Sequence, residues 1–594
     1  MKKILSPFYN SLKHFKPLKN IFFENRSSLA IGLLCLFVVD ILQLLIPLVI
    51  KKAIDSLTAR STTSSILLKY GFTILTIAVF IAILRYIWRY FVLGHSRKVE
   101  EELRNILFRH LQTLSYSFYQ KTKTGDLMAR AINDINYVRM GTGMGLVAMM
   151  DGLIMGLAAI CFMVYIDPLL TLIALIPAPI VIFLSKKFTR RMSSGYENVQ
   201  NIFSELTERV RETFSGIKVV KAFQRESWGN SRIEDKGKDY MLGNISLART
   251  LALFFPIMAL FTNTGMVIVI WLGGRLTIIG QITTGDFVAF IGYLNLLTWP
   301  MMAMGWVINL FQRSAASMRR INRILDEKPD ITGPVFRKNI SPMTGEIVFH
   351  DLSLKYPGHD KYAIQNLSLN IGRGETFSIV GPVGSGKTTL LLMIPRILDP
   401  TGGSILIDGK DIRGYSLLEL RRNIGFVTQE TIIFSDSIRN NVVFGRDDIS
   451  EEVMERALKT AFIYDEIMDL ERGVDTVLGE RGITLSGGQR QRLTIARAIV
   501  TDPPVLILDD ALSMVDIRTE EKILNQILES RIGKTNLIVS HRLLTISRAN
   551  QIAVLNKGML VEKGNYKILI DKGDTFSKLY NKQLLAQALE NGTI

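Results

Sequence analysis

Six apolar stretches occupy the first half of the chain, at residues 29–50, 66–93, 144–166, 169–184, 251–272 and 287–310. Crossing the hydrocarbon core of a bilayer takes about 20 helical residues. Lipid offers no partners to backbone amides, so each crossing segment must close its own hydrogen bonds, as a helix does. Six membrane-spanning helices are therefore predicted. Only Asp167 and Pro168 separate the third from the fourth, which predicts a tight turn between two spans. A hydrophobic share of 48% in 594 residues agrees with a chain partly in lipid. The net charge of +17 does not point to nucleic acid, because the lysines and arginines gather beside the apolar runs and form no single basic arm. Cys35 and Cys161 both lie inside apolar stretches, where a thiol behaves as a small hydrophobe, so neither a disulfide framework nor a thiolate metal site is expected.

Long polar segments follow the second and fourth spans. They carry Arg97, Lys98, Arg104 and Arg109 in one, and Lys186, Lys187, Arg190 and Arg191 in the other, so both are assigned to the cytosolic side. The loops near Ser61 and Gly280 then face outward. Leu103, Ile106, Leu107, Phe108, Leu111 and Leu114 keep helical spacing, so the helices are expected to extend well beyond the membrane. Breaks are expected at Thr124-Gly125-Asp126 and at Ser215-Gly216, with short transverse helices near residues 118–126 and 212–221. The N-terminal lysines Lys2, Lys3, Lys13, Lys16 and Lys19 precede no short apolar core with a small-residue cleavage site, so the first span is expected to serve as its own insertion signal. Asp40, Arg85, Arg89 and Asp151 fall within or near spans, where a charge faces a cavity, pairs with another helix or sits at the interface.

Beyond Arg323 a polar, proline-containing stretch leads into short β-branched runs alternating with helical patterns, the layout of a soluble α/β unit with a parallel sheet. Within it Gly381, Pro382, Val383, Gly384, Ser385, Gly386, Lys387 and Thr388 spell a phosphate-binding loop. A strand over 376–380 precedes it, and a helix beginning at Thr389 and reaching Ile397 is expected to follow. The glycines let backbone N–H groups wrap phosphate oxygens, Lys387 neutralises β- and γ-phosphate charge, and Thr388 is placed to ligate Mg²⁺. The run 504–509 reads as a buried strand delivering Asp509 to the metal at the sheet's C-terminal edge, with Asp510 next to polarise the attacking water.

Between these motifs stands Leu485-Ser486-Gly487-Gly488-Gln489, followed by a basic helical stretch. This pentapeptide, after Lys387 and before Asp509, resembles the signature sequence of ABC transporters. The resemblance implies that Ser486, Gly487 and Gly488 contact the γ-phosphate of ATP held by an opposite subunit, and that Gln489 belongs to the same nucleotide-binding element. It further implies that Tyr356 stacks on adenine, that Thr389 belongs to the nucleotide site, and that Gln429 touches Mg²⁺ and water while relaying to the membrane domain. Asp516 corresponds to the loop that reaches across the dimer, although Met514 and Val515 depart from the common alanine and leucine. His541 corresponds to the switch histidine at the γ-phosphate. The membrane half fits the exporter fold, and Thr124 to Arg130 with Trp299-Pro300-Met301-Met302 resembles the MdlA-like multidrug subgroup.

The organisation so implied is a cytosolic elbow at 1–26, a six-helix transmembrane domain at 27–314, a linker at 315–344, an ABC nucleotide-binding domain at 345–582 and a tail at 583–594. The fold class is a membrane α-helical exporter domain plus an α/β P-loop ATPase, set in a bacterial-type plasma membrane with the ATPase in the cytoplasm. The expected cofactors are ATP and Mg²⁺, and the expected partners are a second half-transporter, the bilayer and an amphipathic drug-like or lipid-like cargo. Where most sites of this family have glutamate, this chain has Asp510, one methylene shorter. That predicts a slow site completed within a heterodimer. A homodimeric exporter, or an ATP-gated regulatory subunit with little hydrolysis, are the competing expectations.

Overall fold

The computed structural model describes residues 13–59, 63–334, 342–479 and 485–590. Lys2, Lys3 and Ser61, named above, lie outside the described residues. The chain divides into two compact units, one from residues up to Thr113 together with Thr122–Lys328, the other from Leu114–Lys121 together with Pro329 onward.

The first unit is helical. Its spans are α1 (Arg26–Thr58), α2 (Ser64–Thr113), α4 (Thr124–Ile166), α5 (Pro168–Ser215), α7 (Glu226–Ile278) and α8 (Thr284–Leu325), all long and apolar enough to cross a membrane. The short helices are α3 (Tyr116–Lys121), in the second unit, and α6 (Ile217–Ala222). The third and fourth spans meet as expected: Asp167 caps α5 by accepting a bond from Leu170 N at 2.6 Å, and Pro168 fills the first helical position. Large apolar side chains such as Leu68, Phe72 and Leu75 point outward along α2, as a lipid-facing helix requires. The core lies between helices, where Phe162 stacks on Tyr293 at 5.2 Å and the Tyr293 hydroxyl donates to Leu44 O at 3.0 Å. Asp40 is fully buried in α1, with Asp151 of α4 and Arg85 of α2 as its charged neighbours.

Past the membrane α2 continues with Leu103 and Leu107 buried, the inner face of the helical pattern, while Phe108 stays exposed. On the same extensions Arg320 of α8 grips Asp134 of α4 through Nε at 2.9 Å and through Nη2, and Ser317 donates to the same carboxylate at 2.9 Å. Leaving one partner alone in such a half-dry site is costly, so this cluster fixes α4 against α8.

Several boundaries differ from expectation. The first intracellular break is not at Thr124-Gly125-Asp126, which open α4; it falls at Leu114-Ser115 and Thr122-Lys123, where Lys123 is extended at ψ 136°. The transverse helix is accordingly Tyr116–Lys121, anchored in its own unit by Ser117 Oγ on Asp330 at 2.5 Å and by Ile331 N on Ser115 Oγ at 2.9 Å. The second break is at Gly216. Between Pro168 and Leu184 the helix is interrupted by a turn at 175–177 that contains Pro177 and is followed by Pro179, neither of which can supply an amide to the ladder. Helix α8 runs to Leu325, within the stretch 315–344 read as linker, because Met318, Ile321 and Ile324 continue its buried face. The terminal helix Thr575–Glu590 likewise crosses the boundary drawn at 582.

The second unit carries two sheets. One is antiparallel, ordered β2-β1-β4-β5, from β1 (Ile347–Leu354), β2 (Ile364–Ile371), β4 (Gly402–Ile407) and β5 (Lys410–Asp411). The other is ordered β10-β9-β3-β8-β7-β6, from β3 (Thr376–Val380), β6 (Ile424–Val427), β7 (Val505–Asp509), β8 (Thr535–Val539), β9 (Gln551–Asn556) and β10 (Met559–Gly564). Strands β3, β7 and β8 are buried at every position, which is why they read as unbroken apolar runs. Register decides the rest: Ile379 pairs with Val539, Asp509 with Val539, and Leu508 with Val427. Five parallel strands, β9 included, thus end at one edge.

Candidate nucleotide site

That edge carries the loops expected to bind nucleotide: 381–386 after β3, Gln429 after β6, Asp509 and Asp510 at the end of β7, and His541 after β8. Open parallel sheets bind ligands at this edge because the loops diverge there and helix N-termini point inward. Residues 383–386, Lys387, Gln429, Asp509, Asp510 and His541 line a cleft of about 340 Å³, with Tyr356, Thr388 and Thr389 on its wall and Ala363 and Val539 beside them; Gly381 and Pro382 lie outside its lining.

The phosphate loop is shaped by its glycines. Gly381, Gly384 and Gly386 sit at φ 154°, 79° and 98°, and a Cβ on Gly381 would lie 2.1 Å from Leu555 O. Lys387 Nζ folds back to donate to Gly381 O at 2.8 Å and Pro382 O at 3.0 Å, curling the loop around its own ammonium. Helix α9 (Lys387–Met393) starts two residues earlier than expected and stops four residues short of Ile397, since Arg396 takes a left-handed turn at φ 51°. The early start aims the Lys387 and Thr388 amides into the cleft from a helix N-terminus.

Charge is concentrated and dry here. Asp509 is buried, and burial lifts its carboxyl above the usual carboxylate range, against the opposing pull of a hydrogen bond from Thr388. Burial likewise draws the Lys387 ammonium below the ordinary lysine value, with Asp509 and Asp510 pulling the other way. Asp510 stands in the left-handed region at φ 49°, held there by its N–H donating to Val539 O at 2.9 Å. Tyr356 reaches Thr389 Oγ1 at 3.1 Å, and Ser385 Oγ is buried inside the loop with no partner among the described residues. An unpartnered hydroxyl in a glycine-rich loop that leads into a helix N-terminus suits phosphate oxygens. Thr388 beside Asp509 suits Mg²⁺, a hard cation that takes one or two protein oxygens and completes its shell from phosphates and water.

Ser486, Gly487, Gly488 and Gln489 do not line this cleft. They open helix α10 (Gly487–Ile499) with a reciprocal cap, Ser486 N donating to Gln489 Oε1 at 2.8 Å and Gln489 N donating to Ser486 Oγ at 3.2 Å. Asp516 caps α11 (Ile517–Ser530) through Thr519 N at 3.0 Å. Sequence reading missed Gln491, whose side chain is fully buried against the loop after Asp510. Its signal was an uncharged residue on the inward face of an otherwise basic helix.

A six-helix membrane unit joined to an ATPase of this design defines a membrane transporter powered by ATP. Residues 29–301 match the ABC transporter transmembrane region family and residues 364–513 the ABC transporter family. The chain is 33% identical to the multidrug resistance-like ATP-binding protein MdlA of Escherichia coli over 94% of both chains. It is 36% identical to the ATP-dependent lipid A-core flippase of Syntrophus aciditrophicus over 82% of this chain and 81% of that one. An ATP-bound bacterial Atm1-family ABC exporter superposes with a TM-score of 0.80 at 25% identity, covering 94% of this chain and 98% of its own. The chain belongs to the ABC transporters, as a multi-pass membrane exporter with a cytoplasmic ATP-hydrolysing domain.

Proposed function

We propose that the chain is an exporter half-subunit that moves amphipathic drug-like or lipid-like compounds, and that it works only when paired with a second half-subunit. The observation that carries the pairing is the separation of the two phosphate-binding elements: the cleft around Lys387 is lined without Ser486 to Gln489. A signature helix whose N-terminal amides serve no phosphate in its own cleft is available to a facing one. The loop amides and Lys387 would hold the β- and γ-phosphates, and Thr388, Gln429 and Asp509 would hold Mg²⁺, whose charge would offset the charge that builds on the phosphates during transfer. Asp510 orients and deprotonates the attacking water, and His541 marks the γ-phosphate. Tyr356 supports the adenine.

A general base must come within about 2.6–3.2 Å of its proton, and a misplacement of about 1 Å can cost 100-fold. Asp510, a methylene shorter than glutamate, therefore supports a slow site in this chain. A sister subunit bearing glutamate would supply the fast one, completed by this chain's Ser486. The homodimer is supported by the intact cap of the signature helix, which is competent to serve a second copy of the same chain.

ATP-driven uptake of a fluorescent amphiphile into inside-out proteoliposomes tests the export reading, and ATP turnover without any such flux would defeat it. The transverse helices are expected to carry force to the spans. Val220→Pro removes the amide that bonds Gly216 O at 3.1 Å and breaks α6 at a cost of about 3 kcal/mol. ATPase should persist while transport per ATP drops severalfold. An unchanged ratio in folded protein would mean that α6 transmits nothing.

A further inference from the structure

The loop from Asp510 to Asp516 is bonded on two sides by residues that neither the phosphate chemistry nor the capping needs. On one side is Gln491 of α10, two residues beyond the signature and fully buried. Its Oε1 accepts Met514 N at 2.8 Å and its Nε2 donates to Ser513 Oγ at 3.1 Å. Ser513 Oγ in turn donates to Asp510 O at 3.0 Å. On the other side is Arg542, next after His541, which donates to Ser513 O at 2.9 Å and Val515 O at 2.7 Å. Arg542 is itself held by Glu520, a buried carboxylate that also takes the Thr545 hydroxyl. Contact is close above the loop as well: a Cβ on Gly487 would lie 3.0 Å from Met514 Sδ, and one on Gly488 3.1 Å from Met514 O.

Two hydrogen bonds in series and a third from Met514 N thus bind the signature helix, the loop and the backbone of Asp510 into one piece. Buried polar contacts of this kind have discrete geometry, because a misfit leaves a donor or acceptor unpaired at about 1–3 kcal/mol. Any displacement of Ser486 by a phosphate it touches must move Ser513, and with it Asp510. We propose that Gln491 and Ser513 are positioning residues that couple the ATP contacted by this chain's signature to the hydrolytic carboxylate of its own site, with Arg542 clamping the loop from the side of His541. This rests on the reading of Ser486 as acting on the opposite subunit's ATP.

The test is ATPase of the purified, reconstituted transporter with whatever partner it carries, measured against ATP concentration for Gln491→Leu, Ser513→Ala, their double variant and Ser486→Arg. Each single variant is expected to lower kcat about tenfold with KM held within about twofold, because cutting these bonds frees the signature end around Ser486 as well as Asp510 while the phosphate loop is untouched, so the loss exceeds that of Asp510→Ala. The double variant should be no worse than Gln491→Leu alone, the non-additivity of groups acting as one unit. Gln491→Glu, which keeps the acceptor for Met514 N, should recover part of the loss. Multiplying effects in the double variant, or a kcat loss that merely follows a lowered melting temperature and a raised KM, would overturn the coupling. If Gln491→Leu does not fold, Ser513→Ala against Ser513→Thr decides, since threonine keeps the hydroxyl: equal kcat in the two refutes the relay. Wild-type turnover in Ser486→Arg would instead remove the cross-subunit reading, an outcome separate from full activity in Gln491→Leu with Ser486→Arg inactive.

Discussion

Ser486→Arg is expected to lower steady-state ATPase of the assembled transporter at least about a hundredfold, while Asp510→Ala costs less than about twofold. The first number follows from geometry. Ser486 is the cap of α10, its hydroxyl oxygen accepts Gln489 N at 3.2 Å, and the amides behind it are the ones free to meet phosphate. An arginine there removes the cap, adds bulk where an ATP phosphate must approach and leaves the helix end reoriented. The second number follows from the length of Asp510. If the fast site uses a partner's glutamate, the carboxylate of this chain contributes little turnover to lose. Two identical subunits would behave differently: each site would depend on its own Asp510, so Asp510→Ala would match Ser486→Arg. In that case Asp510→Glu should raise the rate, by restoring the reach of the base. Steady-state rates for the three variants with the native partner present separate these cases, and an Asp510→Ala loss as deep as that of Ser486→Arg would refute the heterodimer.

Gly386→Ala is expected to weaken ATP binding at least about a hundredfold and leave the ATPase unit folded. Gly386 stands immediately before α9 at φ 98°, a conformation L residues rarely adopt. A methyl there would also meet Ala363 O at 2.6 Å and Ile364 Cδ1 at 2.7 Å. Ala363 O is backbone tied to a strand and cannot swing aside, so the loop must turn at Gly386, carrying the Lys387 and Thr388 amides off their aim. A residue in such a sparsely populated region costs about 1–3 kcal/mol before the collision is counted. Gly384 is the internal control. It too has positive φ, at 79°, but a Cβ there meets nothing within 4 Å. Gly384→Ala should therefore weaken binding only about tenfold. Equilibrium titration with a fluorescent ATP analogue, alongside melting curves, checks both, and equal affinities in the two variants would mean that backbone shape at Gly386 does not govern the site.

The phosphate loop, Asp509 and the signature were legible because each is a local motif whose chemistry lies in adjacent residues: glycines beside a lysine, a buried strand ending in a carboxylate, a serine capping a helix. The six spans were legible for a related reason, since lipid demands some 20 apolar residues in a row and leaves the chain little choice. The positions of the breaks were not. Thr124-Gly125-Asp126 has the composition of a break yet begins a helix, because Lys123 just before it is extended and leaves Asp126 in the first turn, where an acid is favourable. Helix α8 outran its predicted end because its inward face stayed buried, a fact of packing invisible to composition.

By itself, then, the order of residues determined the class of the protein, the number of crossings and the candidate groups for meeting nucleotide, all set by neighbours in the chain. Tertiary structure decided how those groups face one another. The parallel register brings Val380, Asp509 and Val539 to one edge. A bond from Asp510 N to Val539 O holds the proposed base in a left-handed turn, and Gln491 reaches Ser513 across 22 residues of chain. These contacts join segments distant in sequence, so they are selected by the shape and buried polarity of the folded core and leave no pattern in any local stretch.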